Sequence, residues 1–460
     1  MSNSGDGNGK AVHILAFPFP APGHVIPMID LTKLLLTRGI SVTVLVTPRH
    51  LHLLEPLLKS HPSSAIDTLV LSPPEVPPSC TTYNPVARMN ALAELYDPIL
   101  QWFRSRPSPP VAILSDFLLG WTNRLTSDIG VPRIVFWTTG AASVSSFNWL
   151  YRDLTVYDIH RDDESVLSLS GVPNSHKYPW WQLSQLLPNF QHGDPGWAFF
   201  LDSLMSNVQS WGAVINSFDE LERVYVDHLM QEMGHDRVWT VGPLLPSDDD
   251  QTASSNRGGS SSIPVDEVMR WLNSKPDNSV VYVCFGSRWT ITDQQVAALA
   301  GALECSGVNF IWVVKEGVVL LNGFEERVER RGFIIKGWAP QVPILNHRAV
   351  GTFVSHCGWN STLEALTAGV LMLTWPLGAD QFFNAKLLVD ELGVAVRFCD
   401  DGDRAVPDSA GLARLLGEWV GGARPVRLME LCRAATEALK AGGNSSKGLE
   451  MLVQVLRSLN

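Results

Sequence analysis

The chain lacks the cysteine pattern of a secreted scaffold: six cysteines are scattered over 460 residues, with no CxxC or His-spaced pairing. That excludes a disulfide-stapled fold and a zinc site of the usual spacing, and makes reduced, buried thiols in a cytosolic setting the expectation. Basic runs are missing too. Thirty-five Lys and Arg against 46 Asp and Glu leave a formal charge of −11, which argues against nucleic acid or an anionic membrane as a partner. No uncharged apolar run reaches about 18 residues, so no membrane span is expected. The segment Met1–Lys10 is polar and rich in Gly, Ser and Asn, without the apolar stretch of a signal peptide. Charge of either sign is scarce as well, at 18%, below the roughly 25% usual for soluble domains. What is abundant is apolar: 45% hydrophobic residues, and 16 tryptophans among them. A core does not need so many, and their amphipathic rings suit pockets for flat ligands.

Apolar strands alternate with amphipathic helices, the rhythm of a parallel sheet covered on both faces. Val12–Phe17, Ser41–Thr47, Val111–Leu114 and Arg133–Trp137 read as strands. A turn over Pro18–Gly23 leads into a helix over Val25–Thr37. The composition breaks at residues 247–262, where the Gly/Ser-rich stretch with Asp248, Asp249 and Asp250 buries too little apolar area to offset its ordering entropy. It reads as a mobile linker, and its acidic run as solvated charge rather than a metal site. Behind it the rhythm restarts with strands at Ser279–Phe285, Asn309–Lys315, Gly332–Lys336, Ala349–Ser355 and Val370–Trp375. The expected fold is α/β: two doubly wound, Rossmann-like domains over residues 11–246 and 263–440. A closing helix within 441–460 carries Leu449, Leu452, Val453 and Leu456 on one face, which suits docking back on the first domain. In such sheets ligands bind beyond the carboxyl ends of the strands, so residues just after strands carry the most information.

The densest polar signal follows the strand Ala349–Ser355, from His356 through Cys357, Gly358, Trp359, Asn360 and Ser361 to Glu364. A helix opening at Asn360 or Ser361 would offer free N–H groups to a phosphate, with His356 in reach of the same anion. The S-x-x-E spacing of Ser361 and Glu364 equally fits a capping box, which would leave Glu364 bound to its own helix start. Ser287, after Gly286, suits either close approach to phosphate or a plain turn. Trp338, before Ala339-Pro340-Gln341, suits either stacking on a base or the core.

Together these residues resemble one known box. Trp338-Ala339-Pro340-Gln341, Ile344-Leu345, His347, Val350-Gly351, Ser355 through Glu364, Gly369, Trp375-Pro376 and Asp380-Gln381 match the plant secondary product glycosyltransferase box of the UDP-dependent family-1 glycosyltransferases. The match runs unbroken from Trp338 to Gln381, and the resemblance extends over nearly the whole chain. It implies a GT-B fold, two Rossmann-like domains facing a cleft. In that family Trp338 would stack on uracil and the Ala339 backbone would bond its edge. Gln341 and Glu364 would hold the ribose, while His356, Asn360, Ser361 and Ser287 would contact the diphosphate. Trp359, Asp380 and Gln381 would meet the sugar, with Thr138 reaching it from the first domain. Gln381 resembles members that use UDP-glucose.

In the first domain His24 follows the first strand and Asp116 the strand Val111–Leu114. Each alone reads more readily as structural, but a carboxylate beside an imidazole at two converging strand ends orients it and stabilises its charged form. The resemblance makes this pair the catalytic dyad. The family loop more often reads Gly-His, an apolar residue, Asn and Pro; here it is Gly23-His24-Val25-Ile26-Pro27, a departure at the helix start rather than at the base. The implied reaction is an inverting transfer of glucose from UDP-glucose to a small phenolic such as a flavonoid, with no metal and no cofactor beyond the UDP-sugar co-substrate. A cytosolic monomer is expected. For the acceptor wall, Trp149, Trp180, Trp181 and Trp197 are candidates beside a packing role, with Ser79–Tyr83 nearby. UDP-rhamnose or UDP-xylose as donor stays open. A UDP-sugar epimerase would consume donor without acceptor, and a non-catalytic binding protein would bind without turnover; having both His24 and Asp116 argues against the latter.

Overall fold

The computed structural model describes residues 12–76, 85–152, 165–183, 186, 190, 192–246, 257, 259 and 261–459. In the first half, β1 (His13–Phe17), β2 (Ser41–Val46), β3 (Ile66–Val70), β4 (Ala112–Asp116) and β5 (Arg133–Trp137) come first. A short antiparallel ribbon of β6 (Val166–Ser168) and β7 (Lys177–Pro179) is next, then β8 (Gly212–Ile215) and β9 (Val238–Thr240). The second half holds β10 (Val280–Cys284), β11 (Asn309–Val314), β12 (Gly332–Lys336), β13 (Val350–Ser355), β14 (Leu371–Thr374) and β15 (Ala395–Arg397). The sheet orders are β3-β2-β1-β4-β5-β8-β9 and β12-β11-β10-β13-β14-β15, all pairs parallel. Both orders reverse beside their first strand, between β1 and β4 and between β10 and β13. At such switch points the loops diverge to opposite faces and leave a crevice.

The strand sequences explain the layering. β4 (AILSD) and β5 (RIVFW) are buried over their whole length, as strands covered by helices on both faces must be. The register pairs Ile14 with Ala112 and Asp116 with Phe136, so the carboxyl ends of β1, β4 and β5 come out side by side. Fully buried Arg133 ties this edge together: its guanidinium donates to Ser115 Oγ (2.8 Å), Thr122 Oγ1 (2.8 Å), Ser210 Oγ (2.6 Å) and the Asp116 carbonyl (3.3 Å). The last helix, Asn444–Ser458, places Leu449, Leu452, Val453 and Leu456 in one core with Ile14, Val42 and Trp239 of the first half. At Gly448 a Cβ would lie 2.2 Å from the Thr240 carbonyl oxygen, so this approach requires glycine.

Three local expectations are corrected. The first helix spans Pro22–Thr37, so His24 rides on its first turn rather than in a loop; Pro22 is tolerated there because the first N–H groups have no intrahelical acceptor. The helix after β13 begins at Trp359 with Gly358 as N-cap, which puts Ser361 inside the first turn and out of register for a capping box. The third concerns the linker: Arg257, Gly259, Ser261 and Ser262 pack on the second sheet's edge rather than standing free. The acidic run Asp248–Asp250, Cys80 and the segment Ser79–Tyr83 lie outside the described residues. Among those described, Cys284, Cys305, Cys357, Cys399 and Cys432 are free thiols. No described helix is long and apolar enough to cross a membrane.

Candidate active site

A cleft of about 1590 Å³ is lined from one side by the loops after β1, β4 and β5, and from the other by those after β10 to β14. The strand ends that carry His24, Thr138, Ser287, Trp338, His356 and Asp380 open into this one space.

On the first wall, His24 Nδ1 lies 2.8 Å from Asp116 Oδ2 and 3.1 Å from Thr138 Oγ1. The buried Asp116 ends β4 and caps the turn Phe117–Leu119, its Oδ1 accepting from Leu118 N at 2.9 Å. Both carboxylate oxygens are therefore fixed. An acceptor-only carboxylate opposite Nδ1 places the proton there, leaving the lone pair on Nε2 for the cleft. Rings of Phe19 and Phe117 flank the imidazole at 5.4 and 5.7 Å. The Thr138 hydroxyl, expected at the sugar, is engaged with this pair.

On the opposite wall, the helix Trp359–Thr367 points its start into the cleft. Cys357 turns the chain with φ +64, a conformation rare for a residue with a side chain and found where a site over-determines the backbone. The His356 ring is wedged between two glycines: a Cβ on Gly286 or Gly358 would come within 2.6 or 2.5 Å of its Nε2. Burial, reinforced by nearby Lys315, pushes this imidazole down to about 4, so at neutral pH it carries no charge, and its buried Nδ1 has no protein partner. Ser287 lines the same stretch. Gln341 bonds inward: Nε2 donates to Ser361 Oγ (2.9 Å) and Glu364 Oε2 (2.6 Å), and Oε1 accepts from Tyr282 OH (3.1 Å). Glu364 thus faces the cleft instead of capping its helix. Trp338 and buried Ala339 line the far end.

The walls touch. Asn360 Nδ2 donates to the Gly23 carbonyl at 3.1 Å, next to His24. That carbonyl is available because Pro27, four residues on, has no N–H to give it. Thr139 Oγ1 donates to Asp380 Oδ2 (2.5 Å), and Asn384 Nδ2 does so at 3.0 Å. Gln381 Oε1 accepts from the N–H groups of Leu377 (2.8 Å) and Gly378 (3.0 Å). Trp359, expected against the sugar, lines the cleft with its indole N–H donated to the Asn216 carbonyl (2.7 Å) and its ring packed on Gly140. Its side chain is committed to the contact between the halves.

Glu222 sits in that contact, accepting from Ala142 N (2.9 Å) and Ser217 Oγ (2.5 Å). Full burial pushes its carboxyl up to about 7 against those hydrogen bonds. A raised folded-state value means the folded protein keeps a proton that the unfolded chain releases. The resulting stability is complete below the ordinary 4.5 and is lost as pH rises through about 7. Glu222→Gln, neutral throughout, is expected to show a shallower fall in melting temperature between about pH 5 and about pH 8 than wild type. Equal slopes in a calorimetric series would remove Glu222 as the source.

The tryptophan candidates divide. Trp197 lines the cleft with Phe200, Phe147 and Tyr151. Trp149 does not: its Nε1 donates to the Ser170 carbonyl at 2.6 Å. Trp180 is buried in the core, and Trp181 packs edge-on against Phe382 with Arg404 over its ring. Their polar tips meet backbone or their faces meet apolar neighbours, so packing claims three of the four. Sequence reasoning missed Lys315, Arg257 and Asn207, which also line the cleft. Lys315, lowered by burial, directly follows β11, so the strand-end rule already contained it.

Two Rossmann-type sheets closing on one cleft form the GT-B architecture of nucleotide-sugar transferases. The chain matches the family model "UDP-glucoronosyl and UDP-glucosyl transferase" over residues 257–399. It is 46% identical over 472 residues to the flavonol 3-O-glucosyltransferase UGT89B1 of Arabidopsis thaliana, covering 97% of this chain and 96% of the relative. It is 39% identical over 473 residues to a flavonol 7-O-rhamnosyltransferase of the same plant, covering 96% and 98%. The crystal structure of Arabidopsis thaliana UGT89C1 complexed with UDP-L-rhamnose superposes with a TM-score of 0.80 at 39% identity, over 97% of this chain and 100% of that one. Its complex with quercetin gives 0.79 at 38% over the same shares. The chain belongs to the plant family-1 UDP-glycosyltransferases, enzymes that transfer a glycosyl group from a UDP-sugar.

Proposed function

We propose that this enzyme moves glucose from UDP-glucose to a hydroxyl of a flavonoid or similar phenol, inverting the anomeric carbon, with His24 as general base. The observation that carries the reading is the 2.8 Å His24–Asp116 contact, tied through Gly23 and Asn360 to the helix start across the cleft. His24 Nε2 takes the acceptor proton, and the freed oxygen pair forms the bond to the anomeric carbon. The bond from that carbon to the diphosphate oxygen breaks, and UDP leaves with its electrons. The helix N-terminus, His356 and Lys315 meet the charge that grows there. No cofactor enters this scheme.

Gln381 supports glucose through the family resemblance. UDP-rhamnose is the second reading, favoured by the relative named a rhamnosyltransferase and the neighbour complexed with UDP-L-rhamnose. Side-by-side assays of UDP-glucose, UDP-rhamnose and UDP-xylose with one flavonol test this. The highest kcat/KM is expected with UDP-glucose; preference for another sugar would replace the donor assignment.

A flavonol acceptor is supported by the named activity of one relative and the quercetin complex of the neighbour. It also suits the cleft, which Phe117, Trp197, Phe200 and Leu204 line with apolar surface, and where the buried side-chain oxygens of Asn90 and Asn207 have no protein partner. Asn207 Nδ2 is fixed on the Phe117 carbonyl at 2.8 Å, which leaves its Oδ1 as an acceptor with no protein donor. Asn207→Ala is expected to cost about tenfold in kcat/KM for a polyhydroxylated flavonol, and under about threefold for a phenol with a single hydroxyl. Equal losses would place no hydroxyl on Asn207.

A further inference from the structure

Arg257 lies in the Gly/Ser-rich stretch between the domains, yet its side chain is only 8% exposed, and the carboxylates it meets, Asp30 and Glu364, are 6% and 7% exposed. Its Nε and one terminal nitrogen donate to Asp30 Oδ2 at 3.1 and 2.8 Å, and its other terminal nitrogen to Glu364 Oε1. The Leu244 carbonyl accepts a further bond at 2.9 Å. Asp30 belongs to the first-domain helix Pro22–Thr37, and Glu364 to the second-domain helix Trp359–Thr367. One guanidinium therefore joins a carboxylate from each half of the molecule. Its backbone takes part as well: the Arg257 carbonyl accepts from Trp338 Nε1 at 3.2 Å.

Two desolvated carboxylates of like charge repel unless a cation stands between them, and a guanidinium, with five donors in a fixed plane, holds both in one geometry. Glu364 has one oxygen on Gln341 and the other on Arg257, which fixes the plane of its carboxylate. An acceptor-only group with about four lone-pair sites still has capacity for hydroxyls after those two bonds. Trp338 is held at both its indole N–H, by Arg257, and its backbone N–H, by Ser262 Oγ at 2.7 Å.

We propose that Arg257 is a positioning residue for the donor: it fixes Glu364 and Trp338 in one geometry and couples that subsite to the first domain through Asp30. The proposal rests on the reading of Glu364 and Trp338 as the ribose and uracil contacts. Its test measures UDP affinity by calorimetry, and KM for the UDP-sugar against kcat, in full-length wild type, Arg257→Met, Arg257→Lys, Asp30→Asn and the Arg257→Met/Asp30→Asn double variant. Arg257→Met is expected to raise both the UDP Kd and the donor KM at least about tenfold, with kcat at saturating donor within about threefold. Arg257→Lys, which keeps the charge and guards against a variant that merely fails to fold, recovers part of that loss. The double variant binds UDP no worse than Arg257→Met alone, because the two residues act as one unit. Unchanged or tighter UDP binding in Arg257→Met and Arg257→Lys would overturn the proposal and make Arg257 a bystander or a plug. Absence of UDP binding in wild type would overturn the donor reading itself, and this proposal with it.

Discussion

Replacing His24 by alanine is expected to lower kcat by about three orders of magnitude while UDP affinity stays within about threefold of wild type. The split comes from where the residue sits. The contact with the donor wall is made by the neighbouring Gly23 carbonyl, while the engaged Nδ1 leaves Nε2, in the proposed function, for the acceptor hydroxyl. Without a base the hydroxyl must attack while still protonated, which penalises the transition state and not the bound donor. Asp116→Asn acts through the same atom. An amide opposite Nδ1 can donate where the carboxylate accepts, so the imidazole loses its tautomer, and a large loss in kcat is expected there too. Stopped assays of sugar transfer beside calorimetric UDP titration check both. Near-normal turnover in His24→Ala would assign the base elsewhere.

The second large effect is expected at Glu364. Glu364→Ala removes a carboxylate that three groups converge on: Gln341, Arg257 and, as the family resemblance implies, the ribose hydroxyls. Charge-assisted hydrogen bonds contribute about 1.5–3 kcal/mol each, so a donor KM higher by about 100-fold is expected. Because ribose is remote from the breaking bond, kcat at saturating donor should change by less than about tenfold. A matched fall in kcat with an unchanged KM would place Glu364 in the chemistry instead.

The strand-end residues were the legible part. Buried parallel strands are continuous apolar runs, so β1, β4, β10 and β13 stand out, and the polar residues at their carboxyl ends are neighbours in sequence: Asp116 closing β4, and His356 to Glu364 directly after β13. The same rule would have reached Lys315. Arg257 was not legible, because composition registers how little apolar area its stretch can bury and is blind to a cation seated between two distant carboxylates. Asn207 carries no local signal either; its role depends on a 90-residue separation from its partner Phe117. Ser361 and Glu364 matched a capping pattern whose meaning depends on where the helix starts, and a start at Trp359 moved both off register. The tryptophans failed for another reason: a ring that suits a pocket wall suits a core equally, and adjacent Trp180 and Trp181 show it, one buried and one packed on Phe382.

The central claim, a direct displacement driven by His24 across this cleft, is tested most directly by the anomeric configuration of the product. The wild-type enzyme with α-linked UDP-glucose and a flavonol should yield a β-glucoside, read from the anomeric proton coupling by NMR, and His24→Ala should yield almost none. An α-glucoside, or undiminished product from the variant, would contradict it.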